Sequence, residues 1–264
     1  MILSVQNISK SFEDNLILDN ISFNLEDNDK AALIGINGAG KTTLLNIIMG
    51  NLDPDTGNVS LSKDTSVGYL SQESTGDSDN DILSELMLAR KDLIDMEDRL
   101  RRMEAEMADL NGRELDSHMD AYDKLSVTFK NAGGLTYKSE INGIINGLGF
   151  IGEDKNKPIN QLSGGQKTRV ALSRLLIKKP DLIILDEPTA ALDPISENRL
   201  YESYDGIMRG KTTVFISHRL ASTRFCSRII LIEDGKIAEE GTHEELLKRG
   251  GIYKRVYDLQ TQGI

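Results

Sequence analysis

The sequence predicts an α/β protein in which buried parallel strands carry an antiparallel extension near the amino terminus. Three observations lead there. Residues 3–25 alternate in short apolar runs, the apolar run Ala31-Ala32-Leu33-Ile34-Gly35 passes through glycines into a helical stretch over residues 42–49, and two more apolar runs follow at residues 182–185 and 213–217. The first set, broken at Asp14-Asn15 and Asp19-Asn20, reads as antiparallel strands. The second reads as strand, loop and helix. The last two, each led in by lysines, suit strands covered on both faces. Residues 229–232 and 236–238 flank Glu233-Asp234-Gly235 and read as a hairpin turning at Asp-Gly.

Residues 80–135 follow a different pattern. Leu86, Ala89, Leu93, Met96, Leu100, Met103, Met107 and Leu110 keep steps of three and four, with Asp, Glu, Lys and Arg on the other faces. Asn111-Gly112 ends that run. Leu115, Met119, Tyr122, Leu125 and Phe129 resume it before Gly133-Gly134. The pattern predicts a helical hairpin, a coiled-coil arm over residues 80–135 inserted in a single domain of residues 1–264. Its first helix should be unbroken and ~40 Å long at about 1.5 Å per residue. The methionine-bearing stripe reads as the seam between the two helices, and the outer face stays open to a partner.

Composition narrows the function classes. With 39% hydrophobic and 28% charged residues over 264 positions, the chain is a globular protein large enough for a full core. No apolar run approaches the ~20 residues of a membrane-spanning helix, and the opening Met1-Ile2-Leu3-Ser4-Val5 lacks a signal-peptide layout. The expectation is a cytoplasmic chain that reaches a membrane only through a partner. A net charge of −11 argues against broad nucleic-acid binding. Lys167, Arg169, Arg174, Lys178 and Lys179 form one basic cluster at helical spacing, which fits a solvated helix face or a docking surface. Cys226 is the sole cysteine, so an intramolecular disulfide and a cysteine-based zinc site are excluded. It reads as a small buried hydrophobe.

The chemistry-bearing residues begin at Gly35-Ile36-Asn37-Gly38-Ala39-Gly40-Lys41-Thr42, which fits the phosphate-binding loop G-x-x-x-x-G-K-[ST] after a strand and before a helix. Glycines let backbone N–H groups converge on phosphate oxygens at a helix amino terminus. Lys41 adds a mobile positive charge for the β- and γ-phosphates of ATP. The Thr42 hydroxyl offers an oxygen ligand to Mg²⁺. Leu182-Ile183-Ile184-Leu185-Asp186-Glu187 puts two acids at the carboxyl end of a buried strand, where open α/β sheets bind ligands. Alone they would also fit a helix cap. Beside the phosphate loop they read as a Mg²⁺ ligand, Asp186, and a group that polarises water, Glu187. Leu162-Ser163-Gly164-Gly165-Gln166 opens a second helix. It fits either a plain cap or a second anion site that would serve the γ-phosphate of another subunit.

Together these motifs resemble the ATP-binding cassette (ABC) ATPase superfamily over nearly the whole chain, and the family's other elements stand in order. The resemblance implies an ABC-type P-loop NTPase cassette: a RecA-like core, an antiparallel β region and a helical subdomain with the arm. Phe12 matches the aromatic that stacks on adenine, and Gln72 the glutamine that senses Mg²⁺ and the attacking water. Asp193, in Ala191-Leu192-Asp193, matches the loop that crosses the dimer interface, and His218 the switch histidine on the γ-phosphate. ATP contacts are thereby expected from Phe12, Gly35, Asn37, Gly38, Ala39, Gly40, Lys41, Thr42 and Thr43, and across the interface from Ser163, Gly164, Gly165, Gln166 and Asp193. Glu187, His218 and Gln72 take the catalytic roles, and Thr42, Gln72 and Asp186 hold the metal. An ATP-dependent homodimer, or a pair with a second cassette, should hydrolyse ATP to ADP and phosphate.

The resemblance also divides along the chain. Up to about Thr189 it looks like the F subfamily, soluble ATPases acting on ribosomes. Afterwards Ala190-Ala191-Leu192-Asp193-Pro194, Ser217-His218-Arg219-Leu220-Ala221-Ser222 and Gly241-Thr242-His243-Glu244-Glu245-Leu246 look like the nucleotide-binding domain of an ABC exporter. A chimera joined within Leu185-Asp186-Glu187-Pro188-Thr189 would account for both. The arm favours an F-like ATPase acting on a ribosome or similar macromolecular partner as the output. The alternative, favoured by the carboxyl-terminal quarter, is the ATP-binding subunit of a transporter joined to transmembrane domains.

Overall fold

The structure, a computed structural model, describes residues 1–71, 78–150, 155–188 and 210–262. Gln72 and Asp193 therefore lie outside the described residues. The chain separates into two compact units, Met1–Thr75 with Pro180–Ile264, and Gly76–Lys179.

In the first unit the elements in chain order are β1 (Leu3–Phe12), β2 (Asn15–Leu25), β3 (Lys30–Ile34), α1 (Lys41–Ile48), β4 (Thr56–Leu61) and β5 (Val67–Leu70). After the second unit come β6 (Leu182–Asp186), β7 (Thr212–Ser217), β8 (Arg228–Glu233) and β9 (Lys236–Gly241). A three-stranded antiparallel sheet has the order β2-β1-β4, and a six-stranded sheet the order β5-β6-β7-β3-β8-β9. In the larger sheet β5, β6, β7, β3 and β8 run parallel, and β9 returns antiparallel on β8. This is the expected α/β arrangement with an antiparallel extension. The first four residues of β6 and all of β7 are buried, which is why residues 182–185 and 214–216 are continuous apolar runs rather than alternating ones. Leu3, Ile8 and Leu25 of the small sheet, Leu44 and Ile47 of α1, and Ile184, Ile216 and Ile230 of the large one form a single apolar cluster. Each such side chain contributes ~1.5–3 kcal/mol on leaving water.

Asp234 and Gly235 turn the β8–β9 hairpin with φ of 48° and 74°, the doubly positive geometry that a two-residue Asp-Gly connection favours. The break expected at Asp19-Asn20 is not a strand end. Asn20 takes a φ of 58° inside β2, where the pairing slips between Ile8↔Ile21 and Lys10↔Leu18. It is a bulge, and only the turn at Glu13-Asp14 separates the two strands.

The second unit is helical: α2 (Ile82–Leu88), α3 (Lys91–Glu106), α4 (Gly112–Asn131), α5 (Tyr137–Gly147) and α6 (Gly164–Ile177). The arm helices α3 and α4 pack on each other, with Tyr122 donating to Glu104 at 2.6 Å. The expected unbroken 40 Å helix is corrected here. The chain leaves the helix at Arg90 (φ −122°, ψ 38°), whose guanidinium donates to the Ala132 carbonyl at 2.8 Å. The sixteen residues of α3 span about 24 Å. Leu86 belongs to α2, which packs on α5 and α6. In α4, His118 is half-buried and touches the Met103 carbonyl, whereas Met119 is exposed at 48%.

The basic cluster on α6 is neither wholly solvated nor a free patch. Arg169 donates to the Leu148 carbonyl at 2.9 Å with its guanidinium over the Phe150 ring, Arg174 pairs with Glu85, and Lys179 pairs with Glu140. These charges staple α6 to its neighbours within the unit. Two helices close the first unit after β9, α7 (His243–Arg249) and α8 (Ile252–Gln262). Cys226 is buried as expected, and burial pushes its thiol up to about 12.

Candidate nucleotide site

β3 lies between β7 and β8, and β6 flanks β7 on the other side. The register pairs Ile34 with Ser217 and Asp186 with Ile216, so all three strands finish at one level. The phosphate loop after β3, Glu187 after β6 and His218 after β7 are therefore gathered at one carboxyl edge. That edge is where parallel α/β sheets bind ligands.

The loop turns tightly into α1. Gly40 takes a φ of 95°, and a Cβ there would sit 2.6 Å from Leu18 Cδ2 and 2.9 Å from the Ile17 carbonyl oxygen. At Gly35 a Cβ would meet the Ile232 carbonyl oxygen at 2.5 Å. Only glycine fits either place without moving backbone. Asn37 and Thr42 are exposed, Thr43 is half-buried and Ala39 buried. The first turn of α1 carries no acidic residue.

Lys41 is 7% exposed, and its Nζ donates to the Gly35 carbonyl at 2.8 Å and the Ile36 carbonyl at 3.0 Å. The ammonium thus closes the loop on itself, and among the described residues no carboxylate is ion-paired with it. Burial lowers its pKa, an effect opposed by the charges of Glu187 and then Asp186. A buried cation held only by neutral oxygens is matched to an anion that replaces them.

Asp186 accepts a hydrogen bond from the Tyr69 hydroxyl at 3.2 Å. Burial, chiefly, and then the neighbouring Glu187 raise the Asp186 pKa, against the Tyr69 hydrogen bond and the Lys41 charge. An aspartate whose folded pKa lies above its unfolded one binds more protons when folded. It therefore lowers stability as pH rises from the unfolded value through the folded one. Asp186→Asn removes that fall. Without nucleotide the variant is expected to melt higher than the parent at pH 7. The gap should close as the pH is taken below the ordinary carboxylate range, as measured by scanning calorimetry.

Glu187 holds a left-handed backbone, φ 46°, with its N–H donating to the Ile216 carbonyl at 2.9 Å. Such a conformation in a non-glycine residue is strained, and here it aims the side chain at His218. Glu187 Oε1 lies 2.8 Å from His218 Nδ1. With Glu187 ionised, Nδ1 carries the proton.

Phe12 ends β1 with 48% of its surface exposed and the Lys10 ammonium 5.8 Å from the ring centre. Ser163, Gly164, Gly165 and Gln166 lie in the other unit. They form a capping box: Ser163 Oγ accepts from the Gln166 N–H, and Gln166 Oε1 accepts from the Ser163 N–H at 2.9 Å. The cap reading of that motif is the geometry found. The next two amides, Gly164 and Gly165, open the helix with no intrahelical acceptor.

Two contributors carry no local signal in the sequence. Tyr69 reaches Asp186 only because β5 and β6 are adjacent and parallel, and Gln260 reaches the His218 segment from the last helix. The first requires knowledge of the strand order, the second of where the last helix docks.

The oxygen donors suit a hard divalent cation: an exposed Thr42 hydroxyl, and a half-buried Asp186 carboxylate whose charge the surroundings disfavour.

Comparison with known proteins agrees with this geometry. The family model described as ABC transporter matches residues 18–190. The chain is 45% identical, over 73% of its length and 30% of the relative's, to the putative ATP-binding protein YdiF of Bacillus subtilis (strain 168). It is 32% identical, over 98% of its length and 42% of the relative's, to the glutathione/L-cysteine transport system ATP-binding/permease protein CydD of the same organism. Among solved structures, a bacterial Atm1-family ABC exporter with ATP bound superposes with a TM-score of 0.70 at 22% identity, covering 98% of this chain and 41% of that one. The chain spans less than half the length of each of these.

Proposed function

Because the chain belongs to the ABC transporter family, whose ATP-binding domain it contains, we propose that it binds Mg·ATP and hydrolyses it to drive a membrane transporter. The observation that carries the nucleotide reading is the buried Lys41 ammonium, held among the described residues by carbonyls of its own loop at the edge where Glu187 and His218 meet. ATP phosphates replace those carbonyls around Lys41, with the loop amides and the amino terminus of α1 completing the cradle. Thr42 and Asp186 are the residues that would hold magnesium. When bound, the ion neutralises charge on the phosphate oxygens. Glu187 accepts a proton's share from the attacking water, whose oxygen bonds to the γ-phosphorus as the bond to the bridging oxygen of ADP breaks. His218, steadied by Glu187, contacts the γ-phosphate. Tyr69 orients Asp186. Gln72 would join Thr42 and Asp186 in holding the metal, and Phe12 offers its exposed face to the adenine ring.

The site is completed by a second cassette. Ser163, Gly164, Gly165, Gln166 and Asp193 of one chain would face the γ-phosphate bound by the Lys41 loop of the other. Hydrolysis removes the γ-phosphate that favours the closed pair.

Of the two outputs, transport has the wider support. CydD is named as an ATP-binding/permease protein and matches nearly the whole chain, and a lipid A-core flippase of Bordetella avium is 32% identical over 94% of it. Nothing in the comparisons supports the ribosome-acting reading. No described helix is long and apolar enough to cross a membrane, so the membrane part would be a partner or a segment of a longer protein. The test is fractionation of cell lysate in Mg·ATP with the Glu187→Gln variant. The expected result is sedimentation with membranes and extraction by detergent. Co-sedimentation with ribosomes through a sucrose gradient would reverse the choice.

A further inference from the structure

We propose that Gln260, on α8, is a positioning residue for His218, and that α8 clamps the segment carrying the switch histidine. The inference rests on the ATPase reading of Glu187 and His218.

The sheet lets go of this segment early. β7 ends at Ser217, and the next anchored backbone groups are bound by a side chain rather than by a strand. Gln260 Nε2 donates to the His218 carbonyl at 2.8 Å, and Gln260 Oε1 accepts from the Leu220 N–H at 2.9 Å. One amide thus supplies the donor and the acceptor that a neighbouring strand would have offered to residues two apart. The flanking groups are already fixed. Glu187 N–H is tied to the Ile216 carbonyl on one side. On the other, Thr223 Oγ donates to the Leu220 carbonyl at 2.6 Å and meets the Tyr253 hydroxyl at 2.8 Å, both side chains being fully buried. Arg224 donates to the Tyr257 hydroxyl. Residues 218–224 are therefore stapled to α8 at three points, and of these Gln260 is the one that touches the His218 peptide, whose Arg219 N–H donates locally to the Ser217 Oγ at 2.9 Å.

That peptide has somewhere to go if released. A cavity of about 280 Å³ lies between α8 and the sheet edge, bordered by Ile36, Asn37, His218, Val256 and Gln260. Without the amide, the His218 backbone can relax into this space, carrying Nδ1 away from Glu187. An ångström of misplacement at a reacting group costs far more in turnover than in ground-state binding. Movement of α8 by a partner would reach the site by the same path.

The test compares Gln260→Ala and Gln260→Glu with the parent, all as full chains. Gln260 is exposed, so neither change opens the core. Gln260→Ala is expected to lower kcat about tenfold, with KM for ATP within about twofold and an unchanged melting curve. Gln260→Glu has the same size and can still accept from Leu220, but when ionised it cannot donate to the His218 carbonyl. It is expected to show the same kcat loss at pH 8. In long-range ¹H–¹⁵N spectra, His218 of the parent should hold its proton on Nδ1, and Gln260→Ala should average the two ring tautomers. Unchanged kcat and ring signals in Gln260→Ala would overturn the proposal. So would a kcat loss matched by a rise in KM or a fall in melting temperature, which marks a merely structural role. If the parent itself shows no turnover, the ATPase reading fails, while the ring signals still decide whether Gln260 positions His218.

Discussion

Glu187→Gln is expected to reduce ATP turnover by at least about 100-fold while leaving Mg·ATP affinity within a few-fold of the parent. The size of the effect follows from losing a group that accepts charge from water in the transition state, worth about 10²–10⁴ in rate. The near-constant affinity follows from geometry. Glutamine has the shape of glutamate, and its carbonyl can still accept from His218 Nδ1, 2.8 Å away in the parent. The loop around Lys41 is untouched. A phosphate-release assay and titration calorimetry measure the two quantities separately. A variant that turns over at near the parent rate would remove Glu187 from the mechanism.

The second large effect concerns assembly. With hydrolysis blocked, Glu187→Gln should be monomeric alone and with Mg·ADP, and dimeric with Mg·ATP, because only the γ-phosphate offers the differential contact between open and closed states. Adding Ser163→Arg should abolish that dimer at tens of micromolar while keeping ATP bound at the Lys41 loop. Ser163 caps α6, so the arginine also removes a cap worth about 1 kcal/mol. Ser163→Ala removes the same cap without bulk or charge and separates the two causes. Light scattering with nucleotide in the running buffer reads the mass directly. A Glu187→Gln protein that binds ATP tightly yet stays monomeric would point to a different cassette as the natural partner.

Much of the site was legible because its residues are local to strand ends. The phosphate loop, Asp186 and Glu187 are each announced by an apolar run that stops, and strand order then brings the stops together. Tyr69 and Gln260 were not legible, since each acts on a residue far away in sequence, 117 positions for Tyr69 and 42 for Gln260. The arm shows a subtler failure. Apolar steps of three and four run from Leu86 to Leu110, but the steps cannot tell one helix from two in line. Leu86 serves α2 and its contacts with α5 and α6, while Leu93, Leu100 and Met103 are buried on α3. Arg90 makes the break, and arginine is an ordinary helix former, so nothing in its type warned of it. At Asp19-Asn20 the error ran the other way. Turn-forming residues marked a bulge that the strand passes through.

Cys226 has a practical consequence at the bench. A thiol pushed up to about 12 holds far less thiolate at neutral pH than an ordinary cysteine, and the thiolate is the species that alkylates. Maleimide dyes and spin labels should therefore pass it by in the folded chain. Any exposed position exchanged for cysteine becomes a single addressable handle with no prior removal of Cys226. Distances between two copies could then be followed by fluorescence transfer as nucleotide is added and consumed, in a protein whose own sulfur chemistry stays silent.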